Sequence, residues 1–338
     1  MGSSQGSVLG PVLFCRHSQA PSEVIFQSRC GHHKCADNTL VRRSSTPFFF
    51  LFSFFFFSFF FFVYRCLTLR SVLTLLGDQW RMTGNRLKLN NDKTEGLLVG
   101  YRRRVSVSQD NHLRVGNHDI SFKGHVENLG VYTDAVLFMV KHTDHISRSA
   151  YLEIRRISSI RHLLTTKAAA QPMCSFVLSQ LDYCNSLFID IKWDQMYRLQ
   201  KVQCHAAKVV FRKSRHVHVR PLLKALHWLP VKDMIIFKIA TFVFRVVVVV
   251  VFYGTLPPYL SLFLSVYTPS RTLRSSSDGG RKKKKELSCA RWKLTGFGYR
   301  SFSVQAPLVW NNLPAHIRHC SSLSQFKTSL KTTLFTSA

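Results

Sequence analysis

Gln5-Gly6-Ser7-Val8-Leu9-Gly10-Pro11 and, some two dozen residues later, Cys35-Ala36-Asp37-Asn38 are the stretches whose reading decides the fold. The first is glycine-bounded and closed by a proline, which marks a loop. The second ends a run of strand-forming residues on a carboxylate followed by an amide. Val24-Ile25-Phe26 and the stretch ending at Cys35-Ala36 read as short strands, so residues 1–46 alternate loop, strand and turn.

Outward from this start, the whole chain of 338 residues is long enough for one large domain or two modest ones. Hydrophobic residues make up 46%, within the globular range, but the 28 phenylalanines are concentrated in one run. Lys and Arg outnumber Asp and Glu by 47 to 17, a formal net charge of +30. A surplus of that size suits a polyanionic partner, RNA or DNA first, because binding strengthens with each phosphate neutralised. The other reading is a chain never tuned for solubility. No small-molecule substrate is indicated. Nine cysteines, scattered and without a C-x-x-C pair, suit reduced thiols inside a cell, in cytoplasm or nucleus. Cys30-Gly31-His32-His33-Lys34-Cys35 has no second ligand pair to complete a zinc knuckle, so a structural metal is not expected there. The N-terminus carries no secretory pattern.

Phe48 to Phe62 is almost pure phenylalanine, and no charge falls between Ser44 and Tyr64. At about 1.5 Å per residue such a stretch spans a hydrocarbon core of roughly 30 Å, so a single membrane crossing through 44–64 is one reading. The other is a translated low-complexity insertion with strong β-propensity and a tendency to aggregate. Val246 to Val251 and Arg281 to Lys285 look like further repeat expansions, the mark of pseudogene-like coding sequence.

Between these runs ordinary helical grammar returns. Leu67 to Arg86 has apolar residues at three- and four-residue steps. Leu97-Leu98-Val99 and Val126 to Tyr132 read as strands. From His142 to Leu164, Ile146, Ala150, Ile154, Ile157 and Leu164 define one helix face, with Arg148, Arg155 and His162 on another. Asp194 to Arg212 reads as a helix with Asp194 as N-cap and Leu199, Val202, Ala206 and Val209 as its buried stripe. Arg198, Lys201, His205, Lys208 and Arg212 form its basic stripe, which either follows a phosphate backbone or is an ordinary solvated face.

The Q-G-S-V-L-G-P loop followed by C-A-D-N resembles the Q-G-x-x-L-G-P loop and [FY]-A-D-D turn of reverse transcriptases encoded by non-LTR (LINE-type) retrotransposons. Leu87 to Glu95 looks like the family's L-x-L-N-x-x-K-T-E segment, and Asn128-Leu129-Gly130-Val131 like the hairpin supporting the primer end. Leu181-Asp182-Tyr183-Cys184-Asn185, Leu226 to Val231, Tyr267 to Arg271 and Ala306 to Pro314 resemble the thumb and C-terminal region of a fish-type polyprotein. The likeness spans nearly everything outside the repeat runs.

This resemblance implies an RNA-directed DNA polymerase using a pair of Mg²⁺ ions held by aspartates, with Gln5, Gly6 and Lys93 near template and nucleotide. Asp37 matches the first aspartate of the turn and is the remnant of the metal site, while Asn38 stands where the second belongs. The strand carrying the family's earlier aspartate has no counterpart here. A neutral amide supplies too little negative charge for hard Mg²⁺, so magnesium binding and catalysis are not expected.

The expected fold class is α+β. An incomplete reverse-transcriptase-like palm of antiparallel strands plus helix spans 1–140, interrupted by the poly-Phe run. A mostly helical, basic, thumb-like region covers 141–245, and a C-terminal tail covers 246–338. The expected function is a truncated, degenerate retrotransposon reverse transcriptase, inactive as a polymerase and binding nucleic acid weakly through Arg148, Arg155, Arg198, Lys201, Lys208 and Arg212. Single-pass membrane protein and non-catalytic basic binding module are the alternatives. His227 and Trp228 are expected to pack rather than catalyse, and Cys184 to be a buried thiol.

Overall fold

The computed structural model describes residues 31–35, 38–42, 95–97, 112–115, 118–253, 264, 267, 286–289 and 299–337; for 31–35, 38–42, 112–115, 118, 248–253 and 337 it gives the backbone course alone. The described residues are mixed α and β, mostly helical, and divide into one unit up to Leu137 and another from Phe138.

The first unit is built of hairpins. Strand β1 (Gly31–Cys35) pairs antiparallel with β2 (Asn38–Arg42), and the partners Cys35 and Asn38 close a two-residue connection. Strand β4 (His112–Val115) pairs antiparallel with β5 (His118–Lys123), with Val115 opposite His118. Strand β3 (Gly96–Leu97) joins the other edge of β5 in parallel. A Cβ on Gly96 would stand 2.9 Å from the Phe122 ring, so close approach fixes glycine there. Strand β6 (His125–Asn128) pairs antiparallel with β7 (Val131–Asp134). Its turn, Leu129-Gly130, has φ of 50° and 75°, the positive values a tight hairpin of the favoured twist demands. The expected single run from Val126 to Tyr132 is therefore two strands with a reversal at the glycine.

The second unit is helical. Helix α1 (Val140–Ile160) buries His142, Thr143, Ile146, Ala150, Ile154 and Ile157, a stripe at three- and four-residue steps. Helix α2 (Thr166–Pro172), begun by the Thr165 side chain accepting from Ala168 N–H, runs into a wide turn at Met173–Leu178 and then helix α3 (Ser179–Asp182). Helix α4 (Trp193–Val210) packs along α1. After the short α5 (Arg220–Ala225) comes α6 (Val231–Tyr253), the longest helix among the described residues. Helices α7 (Phe302–Asn311), α8 (Ala315–Arg318) and α9 (Leu323–Ser337) complete the unit, with α7 and α9 lying against α6. Where they meet, Phe244 stacks on Phe326 at 4.2 Å between ring centres, and fully buried Trp310 lies 6.0 Å from Phe326. Burying side chains of this kind contributes about 1.5–3 kcal/mol each, which makes this cluster an anchor of the unit.

Several expectations are corrected. Helix α1 stops at Ile160, so Leu164 lies beyond it, half-buried, because Arg161 turns the chain into a 3₁₀ turn. Asp194 sits inside the first turn of α4; Lys192 is the N-cap residue and offers no side-chain cap. The buried stripe of α4 is Gln195, Leu199, Val202, Gln203, Ala206, Ala207 and Val210, and Val209 is only half-buried. Valines 246–251 continue the helical backbone of α6, and the C-terminal helices pack on that same helix. Among the described residues no helix is long and apolar enough to cross a membrane. Gln5, Gly6, Asp37, Lys93, Val24–Phe26, the Leu67–Arg86 helix, the 48–62 run and 281–285 lie outside the described residues.

Candidate functional site

Two places carry chemistry, one in each unit. In the first, Asn38 opens β2 opposite Cys35, while the candidate Asp37 lies outside the described residues. Among the described residues no three His, Cys, Asp or Glu side chains converge as a metal cluster.

In the second unit, three contacts fix how α1 and α4 lie. Near the start of both helices, Arg198 Nη1 donates to Asp144 Oδ1 at 2.6 Å. Seven residues further along each, the Tyr151 and His205 rings are 5.7 Å apart. At their ends, Arg161 Nε donates to the Val209 carbonyl at 3.1 Å, and its Nη2 donates to that of Val210. The helices therefore run parallel, side by side. Arg148 and Arg155 stand one turn beyond Asp144 and Tyr151, while Lys201 and Lys208 stand about one turn beyond Arg198 and His205. The pattern of the two helices thus lines all these cations along one shared face.

Their surroundings differ. Arg148 and Arg155 are exposed and form no ion pair among the described residues. Lys201 is exposed, with Nζ 4.5 Å from the Tyr197 ring centre. Arg198 is engaged by Asp144, an exposed pair that contributes little stability but orients the guanidinium. Lys208 donates to the Arg215 carbonyl at 2.5 Å. Desolvation, then the charges of Arg215 and Lys208, hold His205 below its ordinary pKa, so it is neutral at physiological pH.

Arg212 has a structural task. Its Nη2 donates at 2.8 Å to the carbonyls of both Arg161 and His162, just past the end of α1. Arg161 reciprocates into the end of α4. Each arginine satisfies carbonyls that a helix C-terminus leaves without intrahelical donors. Arg161 is buried, and burial together with nearby Arg212 lowers its pKa.

Sequence reasoning missed Trp193 and Tyr197. Their rings stack at 4.8 Å with 11° between planes, and Trp193 is 75% exposed. Their spacing of four, continued by Lys201, was the available signal.

The family-like segments of this unit serve packing. Gln203 Nε2 donates to the Leu229 carbonyl at 2.7 Å, and Val231 N–H donates to Gln200 Oε1 at 2.9 Å, so α4 grips the L-P-V segment. Trp228 is buried as expected; His227 is exposed and takes φ of 56° just after α5. Asp182 binds Lys238 at 2.6 Å and accepts from Asn185 Nδ2 at 3.0 Å. Cys184 is buried and its thiol is pushed up to about 12, chiefly by burial. Asn311 pairs with both backbone groups of Leu287, at 3.0 and 2.9 Å. No family model, curated protein or solved structure matches the chain.

Proposed function

We propose that the chain is a degenerate relic of a LINE-type reverse transcriptase, inactive as a polymerase, that binds nucleic acid electrostatically through the α1–α4 face. The observation carrying the ancestry is the β1–β2 hairpin. Its strands end at Cys35 and resume at Asn38, a two-residue reversal at the point in the sequence where the resembled enzymes carry paired aspartates. The donor set at that turn, one carboxylate and one neutral amide, does not suit a pair of Mg²⁺ ions, each of which needs several anionic oxygens. When bound in such enzymes, the ions stabilise the attacking and leaving oxygens of phosphoryl transfer.

The binding half of the reading is supported by the alignment of Arg148, Arg155, Arg198, Lys201 and Lys208 on one face in a chain of net charge +30. Phosphate oxygens spaced along a strand complement such a row. A cellular location in cytoplasm or nucleus follows from this reading. The membrane alternative rests on 44–64 alone, and nothing in the described residues adds to it.

Primer extension tests the catalytic half. Purified chain with an RNA template, a DNA primer and Mg²⁺ or Mn²⁺ yields no product above background, and Asn38→Asp alone restores none. Templated extension by either protein overturns the reading.

A further inference from the structure

Helix α4 opens with side chains that a purely electrostatic face does not need. Trp193, the first helical residue, is 75% exposed, and Tyr197, 44% exposed, stacks against it nearly parallel, 11° between ring planes. Lys201 Nζ lies 4.5 Å from the Tyr197 ring centre, one further turn along. Beside them Lys192 Nζ lies 4.5 Å from the centre of the Phe138 ring, itself 37% exposed. Cations and aromatic rings thus alternate over the start of the helix. An indole left three-quarters exposed keeps a ring face in water, a hydrophobic loss that a stacked planar partner would remove. Lys201 belongs both to this ladder and to the basic row formed with Arg198 and Lys208.

We infer that Trp193 and Tyr197 form a stacking platform for an unpaired strand of nucleic acid, one base lying on the open indole face while its phosphates follow Lys201, Arg198 and Arg148. This rests on the nucleic-acid-binding reading above and makes it specific: the face takes single strands in preference to duplex. Charge complementarity and ring geometry together favour that occupant. A duplex hides its base faces in its own stack and offers the indole nothing, whereas a single strand presents both a ring and a phosphate per residue. Stacking does not distinguish bases or sugars, so the platform tolerates any sequence.

The test uses the full chain, fluorescein-labelled oligo(dT), and a duplex of the same length, read by anisotropy. Trp193→Ala weakens oligo(dT) binding by roughly ten-fold or more. Trp193→Phe, which keeps a ring, retains most of the affinity, and duplex binding is the same for all three proteins. Because Trp193 is exposed, the helical unit tolerates both changes, which circular dichroism verifies. Equal affinity of the wild type for single strand and duplex, an alanine variant that binds oligo(dT) as tightly as wild type, or a phenylalanine variant as weak as alanine each overturns the platform while leaving the electrostatic reading standing. Failure of the wild type to bind either probe overturns both.

Discussion

Replacing Arg161 with leucine removes one half of the clasp between the ends of α1 and α4. The guanidinium donates to the carbonyls of Val209, Val210 and Leu164. Val209 also accepts from the Arg212 N–H at 3.1 Å, so its carbonyl keeps a partner. Val210 belongs to a fully buried residue, and its carbonyl loses the charged donor. Stranding one buried carbonyl costs about 1–3 kcal/mol, and losing a charge-assisted hydrogen bond adds to that. Burial first, and then the charge of Arg212, lower the Arg161 pKa, so relief of that desolvation and repulsion offsets part of the loss. A net destabilisation of ~2–3 kcal/mol follows. For a unit of about 200 residues that lowers the melting temperature by roughly 4–12 °C. Thermal unfolding followed by far-UV circular dichroism measures it, with exposed Arg155→Leu as a control expected to shift the midpoint by no more than ~2 °C. If Arg161→Leu melts with the control, the clasp does not hold the helices and the argument for their alignment fails.

Three further outcomes follow from named groups. His142 is buried against Phe188 with its pKa lowered to about 4, mainly by burial, then by His145. The unfolded chain takes up a proton near the ordinary 6.5 that the folded chain refuses, so stability falls as pH drops from about 6.5 to about 4, by ~3 kcal/mol in all. Urea midpoints across that window should show the fall and lose it in His142→Phe; superimposable profiles would refute it. Under native conditions iodoacetamide should modify exposed Cys289 and spare Cys184, whose buried thiol stays protonated; peptide mapping that finds Cys184 alkylated first contradicts its placement. Gly96→Ala forces a Cβ against the Phe122 ring and should destabilise the first unit by about 1 kcal/mol or more, which faster amide exchange in β5 would report.

What could be read from the sequence divides along a physical line. The α1 stripe Ile146, Ala150, Ile154 and Ile157 was legible because a helix against a core repeats its apolar residues every three to four positions. The end of that helix was not, because Arg161 is drawn inward by carbonyls almost fifty residues away. Gln203 was invisible for the same reason: its burial depends on the Leu229 carbonyl, and no local pattern announces a distant acceptor. The reversal at Leu129-Gly130 had a local cue in the glycine, outweighed by the apolar run around it. The basic residues of α1 and α4 were legible as two stripes; that they share one face depends on the helices running parallel, which the contacts Asp144–Arg198, Tyr151–His205 and Arg161–Val209 disclose.

On the function proposed above, this shared face follows a phosphate backbone. The most direct test is the salt dependence of oligo(dT) binding, compared between the full chain and a variant with Arg148, Arg155 and Lys201 all changed to glutamine. Each phosphate contact on a single strand contributes about −0.7 to the slope of log affinity against log salt, so the variant should flatten the slope by roughly 2. An unchanged slope would place the binding, if any, elsewhere on the chain and contradict the claim.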